Sequence, residues 1–422
     1  MSKTPAASRL EPVVSALLGR ELPLGLRAWD GSSAGPPDAP ATLVVRSRRA
    51  LRRLLWAPNE LGLARAYVSG DLDIEGDVFA VLDLANAGTD RPSLSIDRRT
   101  LAGTLLALGA VGPPPAPPAE EIRVRGRLHS PGRDRHAVSS HYDVGNDFYR
   151  LLLGESMVYS CAYWPTPTAS LAQAQAAKCD LVARKLGLRP GMRLLDVGCG
   201  WGSLLMHAAR EYGVSGVGVT VSQAQAELAR KRIADAGLAH RIEIRLQDYR
   251  DVADGPYDAI SSIGMAEHVG ALRFGEYAAR LYSLLRPGGR LLNHQITQPR
   301  PVGGSTRTSF LSRYVFPDGE LLPLGGVVRA LEVAGFEVRD VESLREHYAL
   351  TLRQWVSNLQ ESWDAATVAS SAGRARVWLL YLAGSALTFE AGRISVHQVL
   401  AVKQSSTGLS GMPMTRAGWL TG

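Results

Sequence analysis

Residues 194–202 read Leu194-Leu195-Asp196-Val197-Gly198-Cys199-Gly200-Trp201-Gly202. The reading is a buried strand, then a glycine turn, then a helix predicted over 201–211. Glycine belongs where backbone turns tightly and approaches a ligand with no Cβ in the way. The free N–H groups at the helix start face that turn and suit a polar ligand. The stretch therefore predicts a nucleotide-like cofactor at the carboxyl end of a first strand. A dinucleotide fits poorly. Its fingerprint G-x-G-x-x-G needs glycine at 203, where this chain has Ser203. It also needs an acidic residue closing the second strand, predicted over 214–219, and that strand runs into Thr220-Val221-Ser222.

Outward from the loop, the chain from Val138 alternates helical and strand patterns. Strands are expected over 193–197, 214–219, 242–246, 257–263 and 290–296, with helices between them. This is the pattern of a doubly wound, mostly parallel sheet. Arg286-Pro287-Gly288-Gly289 reads as a turn before the fifth strand. Final strands are expected over 336–341 and 394–402, with one antiparallel edge. Residues 350–389 read as largely helical and carry Trp355, Trp363, Trp378, Tyr381 and Phe389. Such a stripe packs a core, or lines an apolar acyl channel.

Composition sets the outer limits. The 422 residues suffice for two domains, and 45% hydrophobic with 21% charged is ordinary for a soluble globular chain. Cys161, Cys179 and Cys199 form no even framework and no C-x-x-C pair, so a reducing, cytoplasmic compartment is expected. The first residues lack a signal-peptide core, and no apolar run reaches the length of a membrane span. The net charge of +7 suits an anionic partner, nucleic acid or a phospholipid surface. Residues 1–111 form a first unit without a chemical motif; 66–73 read as a helix end entering a glycine turn, and 101–111 as a packed helix. The proline run 112–118 is a semi-rigid spacer. Arg123, Arg125, Arg127, Arg133 and Arg135 follow it. This 112–135 linker is either a solvated face or a patch for anionic lipid headgroups, on the order of 1 kcal/mol per basic residue. It lacks the aromatic interleaving of nucleic-acid grooves. Residues 136–422 form the second, larger domain.

In an open sheet the ligand crevice lies at the carboxyl ends of the strands. Glu267, just past the fourth strand, and His294, near the end of the fifth, fall there. Tyr348 follows the sixth, and Tyr159-Ser160-Cys161-Ala162-Tyr163-Trp164 precedes the sheet. A Glu, a His and a Tyr converging on one crevice are candidates to be a general base or to hold one. Each alone reads more readily as a surface carboxylate, a satisfied histidine or a packed tyrosine; their shared location favours the functional reading for the set.

The spacing Asp196-x-Gly198-x-Gly200-x-Gly202 is similar to that of methyltransferases using S-adenosylmethionine (SAM). Residues 141–149 (His-Tyr-Asp-Val-Gly-Asn-Asp-Phe-Tyr), 159–164, 196–202, 264–270 and 314–317 (Tyr-Val-Phe-Pro) together resemble, in order, the signatures of the cyclopropane-fatty-acyl-phospholipid synthases, which include the mycolic acid cyclopropane synthases. The likeness covers nearly all of 136–404, and 67–77 resembles the N-terminal, lipid-binding or dimerising domain of the longer members. The resemblance implies a Rossmann-like SAM-dependent methyltransferase sheet with a smaller N-terminal domain. Gly198, Gly200 and Gly202 would cradle the methionine part of SAM, with Tyr142, Tyr159 and Ser160 closing over it. Thr220 and Gln225 would contact the ribose, and Asp248 and Tyr249 the adenine. Cys161, Glu267, His294, Ile296 and Tyr348 would hold a bicarbonate ion as base, Ile296 and Cys161 through backbone groups. No metal is implied.

The implied reaction is C-methylation of the cis double bond of an oleoyl-type chain on a phospholipid. An alkene is a weak nucleophile, so the methyl donor must be held in line with it. A carbocation results, and a dry apolar pocket keeps water from capturing it. Loss of the proton from the new methyl closes a cyclopropane ring; loss toward an exocyclic double bond gives a 10-methylene chain, reducible to 10-methyl. Asn293, Gln295, Ser385 and 391–393 depart from the cyclopropane formers close to the presumed base. The pattern resembles the actinobacterial branch making tuberculostearic-type chains, so the methylene product is expected, with a cyclopropane as alternative. A methylene product implies a separate flavin- or NADPH-dependent reductase. The family implies a homodimer, peripheral to the inner face of an anionic membrane, and no nucleic-acid partner. A soluble small-molecule N- or O-methyltransferase and a non-catalytic lipid-binding module are the remaining alternatives.

Overall fold

The computed structural model describes residues 4–18, 22–87, 103, 106–122, 133, 144–299, 309–317 and 319–417. Two compact units emerge. The first comprises Met1–Arg123, Ser305–Val315 and Ala366–Leu387; the second comprises Val124–Gly304, Phe316–Ala365 and Thr388–Gly422. The units are therefore not the consecutive segments 1–111, 112–135 and 136–422 expected from the proline run. Part of the reason is Arg376, on the helix Ala372–Glu390. It donates to the Tyr67 and Leu72 carbonyls and to Asp73 Oδ2 at 2.9 Å, which holds this late helix within the first unit. Of the Arg-rich stretch, only Arg133 lies among the described residues.

The first unit contains a four-stranded sheet, β1 (Gly25–Ala28), β2 (Ser33–Ala34), β3 (Ala41–Val45) and β4 (Leu72–Gly76), in the order β2-β1-β3-β4. The helix Glu60–Val68 ends at Ser69, and Gly70 turns the chain at φ +70° into β4, as the 66–73 pattern predicts. Within 101–111, residues 106 and 107 are helical, and Leu108 and Ala110 enter this unit's core.

The second unit is built on seven strands: β5 (Arg193–Val197), β6 (Ser215–Thr220), β7 (Ile242–Leu246), β8 (Tyr257–Ile263), β9 (Leu285–Thr297), β10 (Glu337–Ser343) and β11 (Ser395–Val402). Their order is β10-β11-β9-β8-β5-β6-β7. The five strands from β5 to β9 pair in parallel. The antiparallel strand is β11, and it is not the edge: it lies between β9 and β10, antiparallel to both. Its residues explain the place. Val399 and Ala401 pack into one face's core, Leu400 and Val402 into the other's, all four at 0% exposure. A strand buried on both faces belongs inside a sheet. β10 carries Glu337, Arg339 and Glu342 and takes the edge.

The 286–289 turn is also absorbed, as the irregular start of β9. Gly288 N–H donates to the Lys403 carbonyl, and Lys403 N–H to that of Gly289, so neighbouring backbone completes a ladder there. A Cβ at Gly289 would stand 2.8 Å from the Arg286 carbonyl oxygen and 3.0 Å from that of Asp258, which requires glycine at this approach.

Two layers of side chains cover this sheet. Helices Leu171–Leu186, Ser203–Tyr212 and Gln223–Asp235 contribute to one, and Ala271–Leu284 and Leu324–Val333 to the other. Close packing leaves β6 no side chain at Gly218, where a Cβ would lie 2.7 Å from Leu205 Cδ1 and 2.8 Å from both Cys199 Sγ and Ile244 Cδ1. Gly218→Ala forces all three to shift and is expected to cost about 1–3 kcal/mol. A lowered midpoint of urea unfolding, with near-unchanged slope, checks it.

Candidate active site

The loop after β5 turns because three of its residues take left-handed backbone: Gly198 at φ +78°, Gly200 at +53° and Gly202 at +79°. Gly198 and Cys199 N–H both donate to the Val219 carbonyl, at 2.9 and 3.1 Å, which ties the loop to the neighbouring strand. A Cβ on Gly198 would meet Met265 at 3.1 Å. One on Gly200 would meet nothing within 4 Å, although Gly200 lines a cleft. The loop thus carries backbone up to an open space. Helix Ser203–Tyr212 starts directly after it, with Gly202 as its cap.

The cleft gathers most of the residues expected at the cofactor. Tyr159, Ser160, Gly198, Gly200, Thr220, Gln225, Asp248 and Tyr249 all line it. Gly202 stands just behind, packed toward Ile233. Tyr142 lies outside the described residues. Thr220 Oγ1 donates to Gln225 Oε1 at 2.8 Å, so the two residues act as one buried polar unit. Asp248 accepts from Arg250 Nε at 2.8 Å and Nη2 at 2.6 Å. Tyr249 packs edge-on to Tyr277, with ring centroids 5.5 Å apart.

The second expected group converges around Leu344. Its carbonyl accepts from the Tyr348 N–H at 3.0 Å and the Cys161 thiol at 3.6 Å. Its own N–H donates to the carbonyl of Val396, which pairs with Ile296. Ile296 N–H donates to Glu267 Oε1 at 2.8 Å. That amide therefore holds the carboxylate. His294 stands two residues before Ile296 on β9, on the same face. A chain of backbone hydrogen bonds and strand pairing thus links Cys161, Glu267, Ile296 and Tyr348, with His294 on the same strand as Ile296, and none of the five lines the cleft.

The electrostatics of this group are unusual. Burial pushes the Glu267 carboxyl up to about 7, opposed by the hydrogen bond from Ile296, and its Oε2 has no partner. Burial, with the charge of Lys178 next, pushes His294 down to about 3; both of its ring nitrogens are buried without a partner. The imidazole is therefore neutral, with one N–H and one lone pair to offer. Burial holds the Cys161 thiol well above its ordinary value, so it stays protonated. Orphaned buried polar atoms are rare in folded proteins. Glu267 Oε2 and the two His294 nitrogens are such atoms, a set of acceptors and one donor that suits a small oxygen-bearing group such as bicarbonate, whereas the Cys161 thiol is already taken by the Ala162 and Leu344 carbonyls.

Aromatic rings run from the loop toward this group. Trp201 meets Tyr149 at 4.8 Å between centroids, Tyr149 meets Tyr159 at 5.5 Å, and Tyr159 meets Trp355 at 5.4 Å. Trp355 meets Tyr348 at 6.1 Å and Tyr348 meets Phe389 at 4.7 Å. The late aromatic stripe thus divides: Trp355 and Phe389 join this row, whereas Trp378 and Tyr381 pack together in the first unit. His347 plays a structural part, since its Nδ1 accepts from Trp164 N–H at 2.9 Å and Tyr163 stacks on its ring.

Asn293 and Gln295 do not stand with His294. Successive strand side chains alternate between faces. Asn293 Oδ1 lies 3.0 Å from the Tyr277 hydroxyl, and its Nδ2 donates to Gln295 Oε1 at 2.7 Å, on the opposite side of the sheet. Among the side chains lining the cleft that escaped the reading of the sequence as single residues are Lys178, His268, Gln247, Arg250 and Arg273. Lys178 was detectable as one of three polar residues, with Gln175 and Lys185, spaced along the apolar face of helix Leu171–Leu186.

Residues 129–399 match the mycolic acid cyclopropane synthetase family. The chain belongs to that family. This family member is 45% identical over 405 residues to a probable fatty acid methyltransferase, Rv3720, of Mycobacterium tuberculosis, covering 93% of this chain and 94% of that one. It is 33% identical over 415 residues to the tuberculostearic acid methyltransferase UfaA1 of the same organism, covering 95% and 93%. Among solved structures it resembles the mycolic acid cyclopropane synthase CmaA1 complexed with SAH and CTAB, at 36% identity and TM-score 0.60, over 63% of this chain and 97% of that one. Among the described residues no helix is long and apolar enough to cross a membrane, and no group of His, Cys, Asp and Glu is arranged to hold a metal.

Glu267 also leaves a mark on stability. Between its ordinary value of 4.5 and about 7, the native state binds the proton more tightly than the unfolded chain. Its contribution therefore falls as pH rises through that window. Glu267→Gln keeps an acceptor for Ile296 and removes the charge. The ligand-free variant is expected to gain roughly 2–4 kcal/mol relative to the parent between pH 5 and pH 8. Urea titrations at both pH values measure it; parallel behaviour of the two proteins would exclude a buried, titrating carboxylate.

Proposed function

We propose that this chain is a SAM-dependent C-methyltransferase acting on the cis double bond of an unsaturated fatty acyl chain of a phospholipid. The observation that carries the reading is the pairing of a glycine-lined cleft with a buried set of unpartnered polar atoms, Glu267 Oε2 and the two His294 nitrogens. A nitrogen or oxygen nucleophile forms no carbocation that must be sheltered from water. A double bond does, and the charge formed on it must be sheltered and a proton then removed.

The cofactor residues follow from the cleft. The 198–202 backbone and the start of helix Ser203–Tyr212 would hold the amino-acid end of SAM. Thr220 and Gln225 would take the ribose hydroxyls, and Asp248 and Tyr249 the adenine. Bound SAM supplies an electrophilic methyl group, and bound bicarbonate a base. Glu267 and neutral His294 orient that base through the atoms left unpaired. The rings of Tyr159, Trp355 and Tyr348 exclude water and present π faces to a developing cation, each worth about 0.5–2 kcal/mol.

A methylene product, later reduced by a separate flavin or NADPH enzyme, is the favoured outcome. Likeness to a tuberculostearic acid methyltransferase across 95% of this chain supports it. Asn293 and Gln295 do not, since they face away from His294. The cyclopropane is the second reading, favoured by 36% identity to cyclopropane mycolic acid synthase 1 within the catalytic part. Association with an anionic membrane surface, a homodimer and residence in the cytoplasm belong to the same proposal.

Cells expressing the chain with oleoyl phospholipids should accumulate acyl chains one CH₂ heavier. NMR of the methyl esters separates ring from methylene protons. No mass gain with any unsaturated phospholipid would overturn the reading. With purified protein, Glu267→Gln is expected to lower kcat about 10²–10⁴-fold, while S-adenosylhomocysteine binding stays within about threefold; full retained turnover would remove Glu267 from the base site.

A further inference from the structure

Ser203, standing where a dinucleotide fingerprint would carry its third glycine, opens helix Ser203–Tyr212 and lines the cleft. Its hydroxyl donates to the Ser156 carbonyl, with the Met157 carbonyl at 3.4 Å, and accepts from Arg232 Nη1 at 3.0 Å. Arg232 belongs to helix Gln223–Asp235, whose Ala229 and Ile233 pack behind Gly202. Arg232 Nη1 also donates to the Trp201 carbonyl at 2.7 Å. Its Nη2 donates to the Glu155 and Ser156 carbonyls, at 3.2 and 3.0 Å. One guanidinium therefore joins a carbonyl of the glycine loop to two carbonyls of the 155–157 segment. A planar fork with several N–H groups can serve acceptors on two separate stretches of chain; a single ammonium serves them poorly.

The segment so held forms one wall of the cleft, through Met157, Val158, Tyr159 and Ser160. Met157 has φ +53°, the one positive value at a residue other than glycine among the described residues. A side chain with a Cβ adopts that left-handed backbone at a cost, and such a conformation persists where its surroundings enforce it. Here Met157 N–H donates to the Gly154 carbonyl at 3.2 Å, and the Ser156 carbonyl is fixed by both Ser203 and Arg232. Gln175 holds the segment from another side: it accepts from the Ser156 hydroxyl and donates to the Leu153 and Val158 carbonyls. Gln175 ties the segment to helix Leu171–Leu186, whereas Arg232 and Ser203 tie it to the glycine loop.

We propose that Arg232 and Ser203 are positioning residues for the methyl donor: they set the spacing between the glycine loop and the 157–160 wall, so that Tyr159 and Ser160 close on a cofactor seated at the loop. This rests on the SAM reading of the cleft. The bridge acts on how firmly the cofactor is held. Its loss lets the two walls drift apart while the base group around Glu267 and His294, which does not line the cleft, keeps its own hydrogen bonds. Affinity for the cofactor should therefore fall, with the chemical step little changed.

The test uses the full-length protein. Calorimetry reads S-adenosylhomocysteine affinity, and turnover on oleoyl phospholipid vesicles gives kcat and the KM for SAM. Arg232→Met is expected to raise the S-adenosylhomocysteine Kd and the KM about tenfold or more, with kcat changed less than about threefold. Ser203→Ala, which leaves Arg232 its carbonyls, should raise both about threefold. Arg232→Lys, a charge without the fork, should recover part of the affinity. Arg230, on the same helix, donates from Nε and Nη2 to the Ile244 carbonyl and serves as the control for a purely structural effect. Arg230→Met should lower the urea midpoint yet leave S-adenosylhomocysteine affinity within about twofold. Should Arg232→Met not fold by near-ultraviolet circular dichroism, Ser203→Ala is read in its place. Unchanged S-adenosylhomocysteine affinity in the folded variant, or an equal loss in Arg230→Met, overturns the proposal and leaves both residues to the fold. Absence of S-adenosylhomocysteine binding by the unmodified protein overturns the SAM reading itself, and this proposal with it.

Discussion

The second unit depends on one constraint: a chain leaving a buried parallel strand must turn sharply and restart as a helix without filling the space above the sheet. Left-handed backbone at Gly198, Gly200 and Gly202 satisfies it. The Val219 carbonyl then pins the turn by accepting two loop N–H groups. The cleft follows from that geometry, because β6 and β8 flank β5 and their own exits, Thr220 onward and Gly264 onward, open on the same side. Carboxyl ends of parallel strands collect loops, and loops carry the polar groups a ligand needs.

Behind the cleft the balance reverses, and polarity is withheld from water. Glu267 Oε2 and the two His294 ring nitrogens are placed where solvent does not reach, and burial is the largest influence on the protonation of both groups. A fold does not retain such groups for stability, since each raises the free energy of the native state. They make sense as halves of contacts that a ligand completes. The aromatic row from Trp201 to Phe389 supplies the apolar surroundings that make those contacts strong.

Much of this was legible along the chain. The strands from 193 to 263 match their expected bounds within a residue, because each is a short apolar run closed by turn residues. Two features were not. β11 reads as a terminal strand and so as an edge, but edge position is decided by which strand buries both faces. Asn293 and Gln295 are neighbours of His294 in sequence, yet pleating sends them to the other layer, where Tyr277 meets Asn293.

Residue order alone was enough for the cofactor class, through the spacing of Asp196 and three glycines and the missing acidic residue after the second strand. It was enough as well for the family and for the positions of the parallel strands, since these depend on local turn chemistry and on runs of apolar residues. Folding settles which polar residues share a space. Leu344 links Cys161, Tyr348 and, through Val396, Ile296 across separations that no motif spans. Folding also places Lys178 on the wall of the cleft while Lys185, two turns on, is paired with Glu342. Local preferences act over a few residues, whereas burial and charge pairing are properties of surfaces that meet only when the chain is folded.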